Sequence, residues 1–264
     1  MRLKITHRTE YSYEQPVAYA LQRLRLVPKS SATQKVTTWS LAIEGAREEL
    51  RYADQYDNET RLVSVSGEPR TIAVTATGEV ETFDKAGVLG PHRGFAPLWL
   101  FQPPTDLTQP GKKLQALARE VPEGAQIERL HALMKIVHDR IAWEPGSTSI
   151  ATTAEEALSQ STGVCQDHTH VFIAAARLLG MPARYASGYL LMDDKTEQVA
   201  SHAWAEAHVD GLGWVGFDAA NDMCPDEKYV RVACGRDYRE AAPVSGIILG
   251  RANERLAVAI TVEQ

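Results

Sequence analysis

The chain has 264 residues, 44% of them hydrophobic and 23% charged, the make-up of an ordinary soluble globular protein with one large core or two smaller ones. A net charge of −6 without a dense Lys/Arg run argues against nucleic acid, because phosphate binding needs a basic surface. No apolar run is long enough to span a bilayer, the N-terminal stretch lacks the apolar core of a signal peptide, and three cysteines are too few for a disulfide framework; a reducing cytoplasm is the expected home.

Residues 1–83 read as β-structure. Leu3, Ile5 and His7 alternate with polar residues, as do Trp39, Leu41 and Ile43, the run from Leu62 to Val65, and Ile72, Val74 and Ala76. Clusters such as Asp57-Asn58 and Gly67-Glu68-Pro69 punctuate them. The expectation is an antiparallel, sandwich-like domain with Arg23, Arg25, Arg47 and Arg51 on its exposed faces. Residues 84–111 are rich in Gly and Pro around Trp99, Leu100 and Phe101, which makes a poor helix and a poor strand. They are expected to form an ordered connector whose aromatic cluster packs against a neighbour.

From 112 to the C-terminus a second domain is expected. Ile127, Leu130, Leu133, Met134, Val137 and Ile141 line one face of a helix that ends before Pro145. Thr152 or Thr153 caps a short helix over Glu155 to Leu158. Ser161 to Gly180 follows as a polar turn and a buried helix, with Cys165 where turn becomes helix. Strand patterns then take over in ARYASGYLLM, a turn at Asp193-Asp194-Lys195, VASHAWAEAHV, the turn around Asp210-Gly211, WVGFDAAN, and a last strand in RLAVAITVE.

A thiol at a helix start feels the partial positive charge of unpaired backbone N–H groups, which favours the nucleophilic thiolate. His202, 37 residues on, and Asp218, 16 further, supply an imidazole and a carboxylate in consecutive elements. A two-residue turn at Asp210-Gly211 would put His202 and Asp218 on opposite faces of the hairpin, so the triad requires an odd loop or a bulge. Cys224 and Cys234 are expected to be inert. His168 and His170 stand two apart on a helix and cannot both face one metal, so neither metal nor cofactor is called for. His170 is expected to be packed in the helix and His168 to line a pocket wall. Asp167 is expected to stabilise the helix start. Trp204 and Trp214 either shape a substrate channel or fill the core.

The segments GVCQDH, ASHAWAE and GWVGFDAAN, in this order, resemble the three catalytic blocks of the transglutaminase-like superfamily, and HVFIAAARLLGMPARYASGYL continues the likeness. The chain is especially similar to bacterial members that join an N-terminal β-domain to a papain-like core. The third block has Ala219 and Ala220 where the family usually has Pro and Thr, with Asn221 kept. The resemblance implies an α+β fold, Cys165 as nucleophile, His202 as base and acid, and Asp218 as the orienting carboxylate. The Cys165 backbone N–H is the natural first oxyanion donor. Gln160 and Gln166 are candidates for the second, Gln160 on the side the resemblance favours. The expected activity is that of a peptidase or amidase working through a thioester, with acyl transfer to an amine as a variant. The rivals are a non-catalytic binding or assembly module on the same fold and, less favoured, a metal-dependent hydrolase. A peptide or protein amide is the expected partner, with neither nucleic acid nor membrane, and the β-domain is a candidate for recruiting a further protein.

Overall fold

The computed structural model describes residues 1–65, 67–193, 195–249 and 254–264; Asp194, in the expected turn at 193–195, lies outside them. Strands β1 (Arg2–Tyr13), β2 (Tyr19–Val27), β3 (Gln34–Glu44), β4 (Ala46–Ala53), β5 (Glu59–Val65) and β6 (Thr71–Thr82) come first. A short strand β7 (Val88–Gly90) and two 3-10 turns lead to helices α1 (Lys112–Glu120) and α2 (Gln126–Arg140). Strand β8 (Ala142–Trp143), helix α3 (Ala154–Gln160) and strand β9 (Thr162–Gly163) precede helix α4 (Cys165–Leu178). The chain continues through β10 (Ala183–Leu190), β11 (Glu197–Gln198), β12 (His202–Val209), β13 (Gly213–Phe217) and β14 (Tyr229–Gly235). Helix α5 (Tyr238–Ala241), β15 (Val244–Leu249) and β16 (Glu254–Glu263) close it.

Two antiparallel sheets, in the orders β11-β16-β1-β6-β3 and β15-β2-β5-β4, face each other. Leu24, Leu26 and Val63 of one meet Val74 and Ala76 of the other, so the alternation in the sequence is the alternation of a one-sided core. A third antiparallel sheet, β14-β10-β12-β13-β7, is covered on both faces. Ala203, Ala205, Ala207 and Val209 of β12 pack under Val171, Phe172 and Ala175 of α4. Small side chains at every second position bring the helix close. The alternate positions, Trp204 and Glu206, face the opposite side, where Glu206 is fully buried between Arg184 and Arg231 at 2.6 Å each.

Helix α4 is buried nearly all round, its polar Asp167, His168, Thr169, His170 and Arg177 included. Its Arg177 is pinned by carbonyls of Phe101, Ala183 and Arg236 and by the Thr108 hydroxyl. At α3 the cap is Thr153: its hydroxyl accepts the N–H of Glu156, whose carboxylate accepts the N–H of Thr153 in return. Among the described residues no helix is long and apolar enough to cross a membrane.

Three expectations need correction. The stretch from 244 onward does not stay with the second unit. Strand β15 pairs with β2, and β16 pairs with β1 from Lys4↔Glu263 to Tyr13↔Glu254, because both fill open sheet edges of the N-terminal sandwich. The aromatic cluster of the connector splits: Phe101 is buried against Tyr56 and Trp214, whereas Trp99 is 65% exposed. Arg25 is not on an exposed face; it is buried with Asp54, Nε to Oδ2 at 3.0 Å, and so escapes the desolvation penalty of an unpaired charge.

Two side-chain amides stitch the sandwich to β14 as an added strand would. Gln34 donates to the Arg231 carbonyl and accepts the Arg231 N–H, both at 2.8 Å. Asn58 donates to the Cys234 carbonyl at 2.8 Å, accepts the Cys234 N–H at 2.9 Å, and is held by Asp54. Removing one amide strands a buried donor and acceptor. Asn58→Ala should therefore lower the unfolding free energy by roughly 2 kcal/mol in urea titration, while Arg47→Ala, which breaks an exposed ion pair with Glu49, should leave the midpoint unchanged.

Candidate active site

At one end of the third sheet, β12 begins with His202, β13 runs out into Asp218, and α4 begins at Cys165. The β12–β13 pairing runs from Ala205↔Phe217 to Val209↔Gly213, leaving Asp210, Gly211 and Leu212 as a three-residue loop. This is the odd loop the triad requires. Gly211 and Gly213 both sit at φ 82°, backbone that a side chain rarely adopts. An odd loop brings His202 and Asp218 to one face, and there His202 Nε2 lies 2.6 Å from Asp218 Oδ2.

Asp218 is buried and surrounded by donors. Its Oδ2 also accepts the Tyr229 hydroxyl and the Asn221 Nδ2, both at 2.8 Å. Its Oδ1 accepts the backbone N–H of Ala220 at 3.0 Å, and its own N–H reaches the Met223 carbonyl at 2.8 Å. Burial alone would raise its pKa; the charge of His202 and the bonds from His202, Asn221 and Tyr229 outweigh burial and hold the carboxyl below its usual range. The turn thus holds Asp218 with Ala219 and Ala220 in place of Pro and Thr.

His202 is also buried, and Cys165 is close enough to act on its ring electrostatically. Burial works to lower the imidazole pKa, but the charge and hydrogen bond of Asp218, followed by those of Cys165, push it up to about 10. The ring is therefore an imidazolium at neutral pH. Cys165 itself is half-buried. Since α4 starts at Cys165, its N–H has no carbonyl within the helix and stays available.

The remaining candidates separate. Asp167 caps the helix: Oδ2 accepts the Val164 N–H at 2.8 Å and the Thr148 hydroxyl at 2.7 Å. His168 is not a pocket wall. It is buried with both ring nitrogens 2.9 Å from backbone carbonyls, of Val164 and Ile141, and ties α4 to the end of α2. His170 is packed and takes the Tyr238 N–H on Nε2; burial drives its pKa down to about 3, with Arg177 and Arg239 adding to the effect. Gln166 is half-buried beside Cys165, whereas Gln160 closes α3 with its side chain exposed. Trp204 is packing rather than channel: 2% exposed, it stacks on the His202 ring at 6.3 Å and meets Tyr229 edge-on at 5.4 Å. Trp214 packs against Phe101, and the Arg184 guanidinium lies 3.9 Å over it. Cys234 is buried, and burial pushes the Cys224 thiol up to about 11.

Sequence reasoning missed Tyr229. It lies on the strand after the stretch where no periodicity is legible, and nothing local marks it as a partner for a carboxylate 11 residues away. It also missed an exposed tryptophan and an apolar groove. Trp143, paired through β8 to Gly163, is 53% exposed. Next to Ser201, an apolar groove of about 250 Å³ is lined by Tyr11, Val199, Tyr238, Leu256 and Val258. Among the described residues no three His, Cys, Asp or Glu side chains converge as a metal ion would need.

The pattern described as transglutaminase-like superfamily matches residues 115–219, and that of the bacterial transglutaminase-like N-terminal region matches residues 3–81. An uncharacterized protein of Mycobacterium leprae is 29% identical over 278 residues, covering 99% of this chain and 98% of its own. An uncharacterized protein of Mycobacterium tuberculosis is 30% identical over 276 residues, 94% of this chain and 87% of its own. The crystal structure of a candidate cysteine protease from Cytophaga hutchinsonii superposes with a TM-score of 0.77 at 24% identity, over 100% of this chain and 91% of that one. With both segments matched and relatives aligned almost end to end, the chain belongs to the transglutaminase-like superfamily, in the branch that carries a bacterial transglutaminase-like N-terminal region.

Proposed function

We propose that this chain is a cysteine-dependent amide-bond enzyme, with Cys165 as nucleophile, His202 as proton carrier and Asp218 as the carboxylate that orients and charges His202. The observation that carries the reading is the buried imidazole held by Asp218 at 2.6 Å, with Cys165 at the helix start among the groups that raise its pKa. The start of α4 at the end of an antiparallel sheet supports a papain-like core as the unit that does the chemistry. The Cys165 thiolate attacks the carbonyl carbon of an amide, and the developing oxyanion is met by the Cys165 N–H, with Gln166 or Gln160 as second donor. His202 gives its proton to the leaving nitrogen, the C–N bond breaks, and an acyl-thioester remains on Cys165. Neutral His202 then takes a proton from water, or from an incoming amine, as it attacks the thioester, and the thiolate leaves with the imidazolium restored. The apolar groove beside Ser201 is the proposed seat for a side chain of the acyl component.

Two measurements test the reading. With iodoacetamide at neutral pH, followed by peptide mass spectrometry, Cys165 should be alkylated well before Cys224 and Cys234, because it is half-buried at a helix start whereas Cys234 is buried and burial pushes the Cys224 thiol up to about 11. Equal labelling of the three would sink the assignment and favour a binding module. Against a panel of peptide and amide substrates, the alkaline limb of kcat/KM should fall only as pH rises through about 10, where His202 loses its proton. Asp218→Asn removes the charge that raises that pKa, so the limb should move toward neutral pH and kcat/KM at pH 7 should drop on the order of 10²–10⁴-fold. The sign for stability is the same. A raised imidazole pKa stabilises the fold fully below 6.5, and the contribution is lost as pH climbs through about 10, so the variant should also melt earlier at pH 7.

A further inference from the structure

On the face of the third sheet turned away from α4, a cavity of about 300 Å³ opens between that sheet, the N-terminal sandwich and the connector. Four cationic side chains border it: Lys29 from the sandwich, Arg93 from the connector, Arg184 from β10 and Arg231 from β14. Two acidic groups offset part of that charge. The Asp57 carboxylate is held by Lys29 at 2.5 Å, and buried Glu206 is shared by Arg184 and Arg231. Tyr56 also lines the space, but its hydroxyl is committed to Glu240, itself paired with Arg236. In a chain of net charge −6 this pocket keeps two positive charges in excess.

Arg184 makes the pocket more than a basic patch. Its side chain is only 8% exposed, and its Nε is taken by Glu206 at 2.6 Å. Among the described residues no acceptor faces its two Nη groups. Stacking on Trp214 at 3.9 Å fixes the plane of the guanidinium, so those donors are ordered before anything binds. A planar fork of N–H groups on the wall of the cavity matches two oxygens of one anion.

We propose that this cavity is a binding site for a small organic dianion of the size of a phosphate monoester or short dicarboxylate. Its oxygens engage the Arg184 Nη groups and Arg231, with Lys29 and Arg93 closing over it from the sandwich and the connector. Because the cationic residues come from three parts of the chain, the bound anion clamps the sandwich to the third sheet. Glu206, between Arg184 and Arg231, lies on β12 four residues from His202, so the clamp acts on the strand that carries the imidazole.

The test is calorimetric titration and thermal melting of the full chain with inorganic phosphate, phenyl phosphate and succinate, each against chloride at matched ionic strength. Saturable binding with a rise in melting temperature is expected for at least one dianion and not for chloride. The preferred arm tells a phosphate ester from a dicarboxylate. Arg184→Lys keeps a cation for Glu206 but removes the fork, and should weaken that dianion roughly tenfold or more. The exposed double variant Lys29→Ala/Arg93→Ala, which leaves the buried cluster intact, should weaken it as well. Failure of all three dianions to bind, binding matched by chloride, or affinity unchanged in the double variant would each overturn the site.

Discussion

The structure turns on a proton shared in the dark. His202 and Asp218 are both buried, and burial acts on both in the direction of neutrality, lowering the imidazole pKa and raising that of the carboxyl. Their charged forms survive because each is the other's nearest counter-charge and because neither is left with an unmet hydrogen bond on the shared side. Tyr229, Asn221 and the Ala220 N–H fill the remaining positions around Asp218. A carboxylate with fewer donors in that setting would take up a proton and release its hold on the ring. The donors around Asp218 thus matter to the charge of the pair as much as Asp218 itself.

Much of this was readable from residue order because it is local. The start of α4 at Cys165, the burial of Val171 and Phe172 beneath it, and the cap at Thr153 follow from short-range periodicity and capping rules. The parity argument went further, since the need for His202 and Asp218 to share a face excluded the simple hairpin and required the odd loop that Gly211 and Gly213 form. What stayed hidden depends on contacts distant in sequence. Tyr229 marks itself by no pattern, the seat of Arg25 is decided by Asp54 across the sheet, and His168 is claimed by a carbonyl 27 residues away. The partners of β15 and β16 are of the same kind: a strand-like pattern tells that a strand forms, not which edge it completes.

Those two strands also fix how the parts of the molecule depend on one another. Since β1 and β2 receive their edge partners from the last 21 residues, the helices and the third sheet are inserted between portions of one sandwich rather than appended to it. Cutting the chain between 83 and 112 would leave the first unit with open edges on both sheets, and in the second β15 without its partner and β16 with only the two-residue β11 beside it, an outcome that exposes aggregation-prone backbone.

The strand where the units join is the one the site leans on. Tyr229, which holds Asp218, is the first residue of β14; Arg231 and Cys234, two and five positions on, are the residues whose backbones Gln34 and Asn58 grip from the sandwich. Across seven residues the strand therefore carries a donor to the carboxylate at one end and two anchors to the N-terminal unit along its length. A shift of β14 would draw the Tyr229 hydroxyl from its 2.8 Å contact and change the charge balance on His202 without touching the imidazole. The N-terminal unit thus bears on the His202–Asp218 pair without touching it. Holding β14 in register is enough.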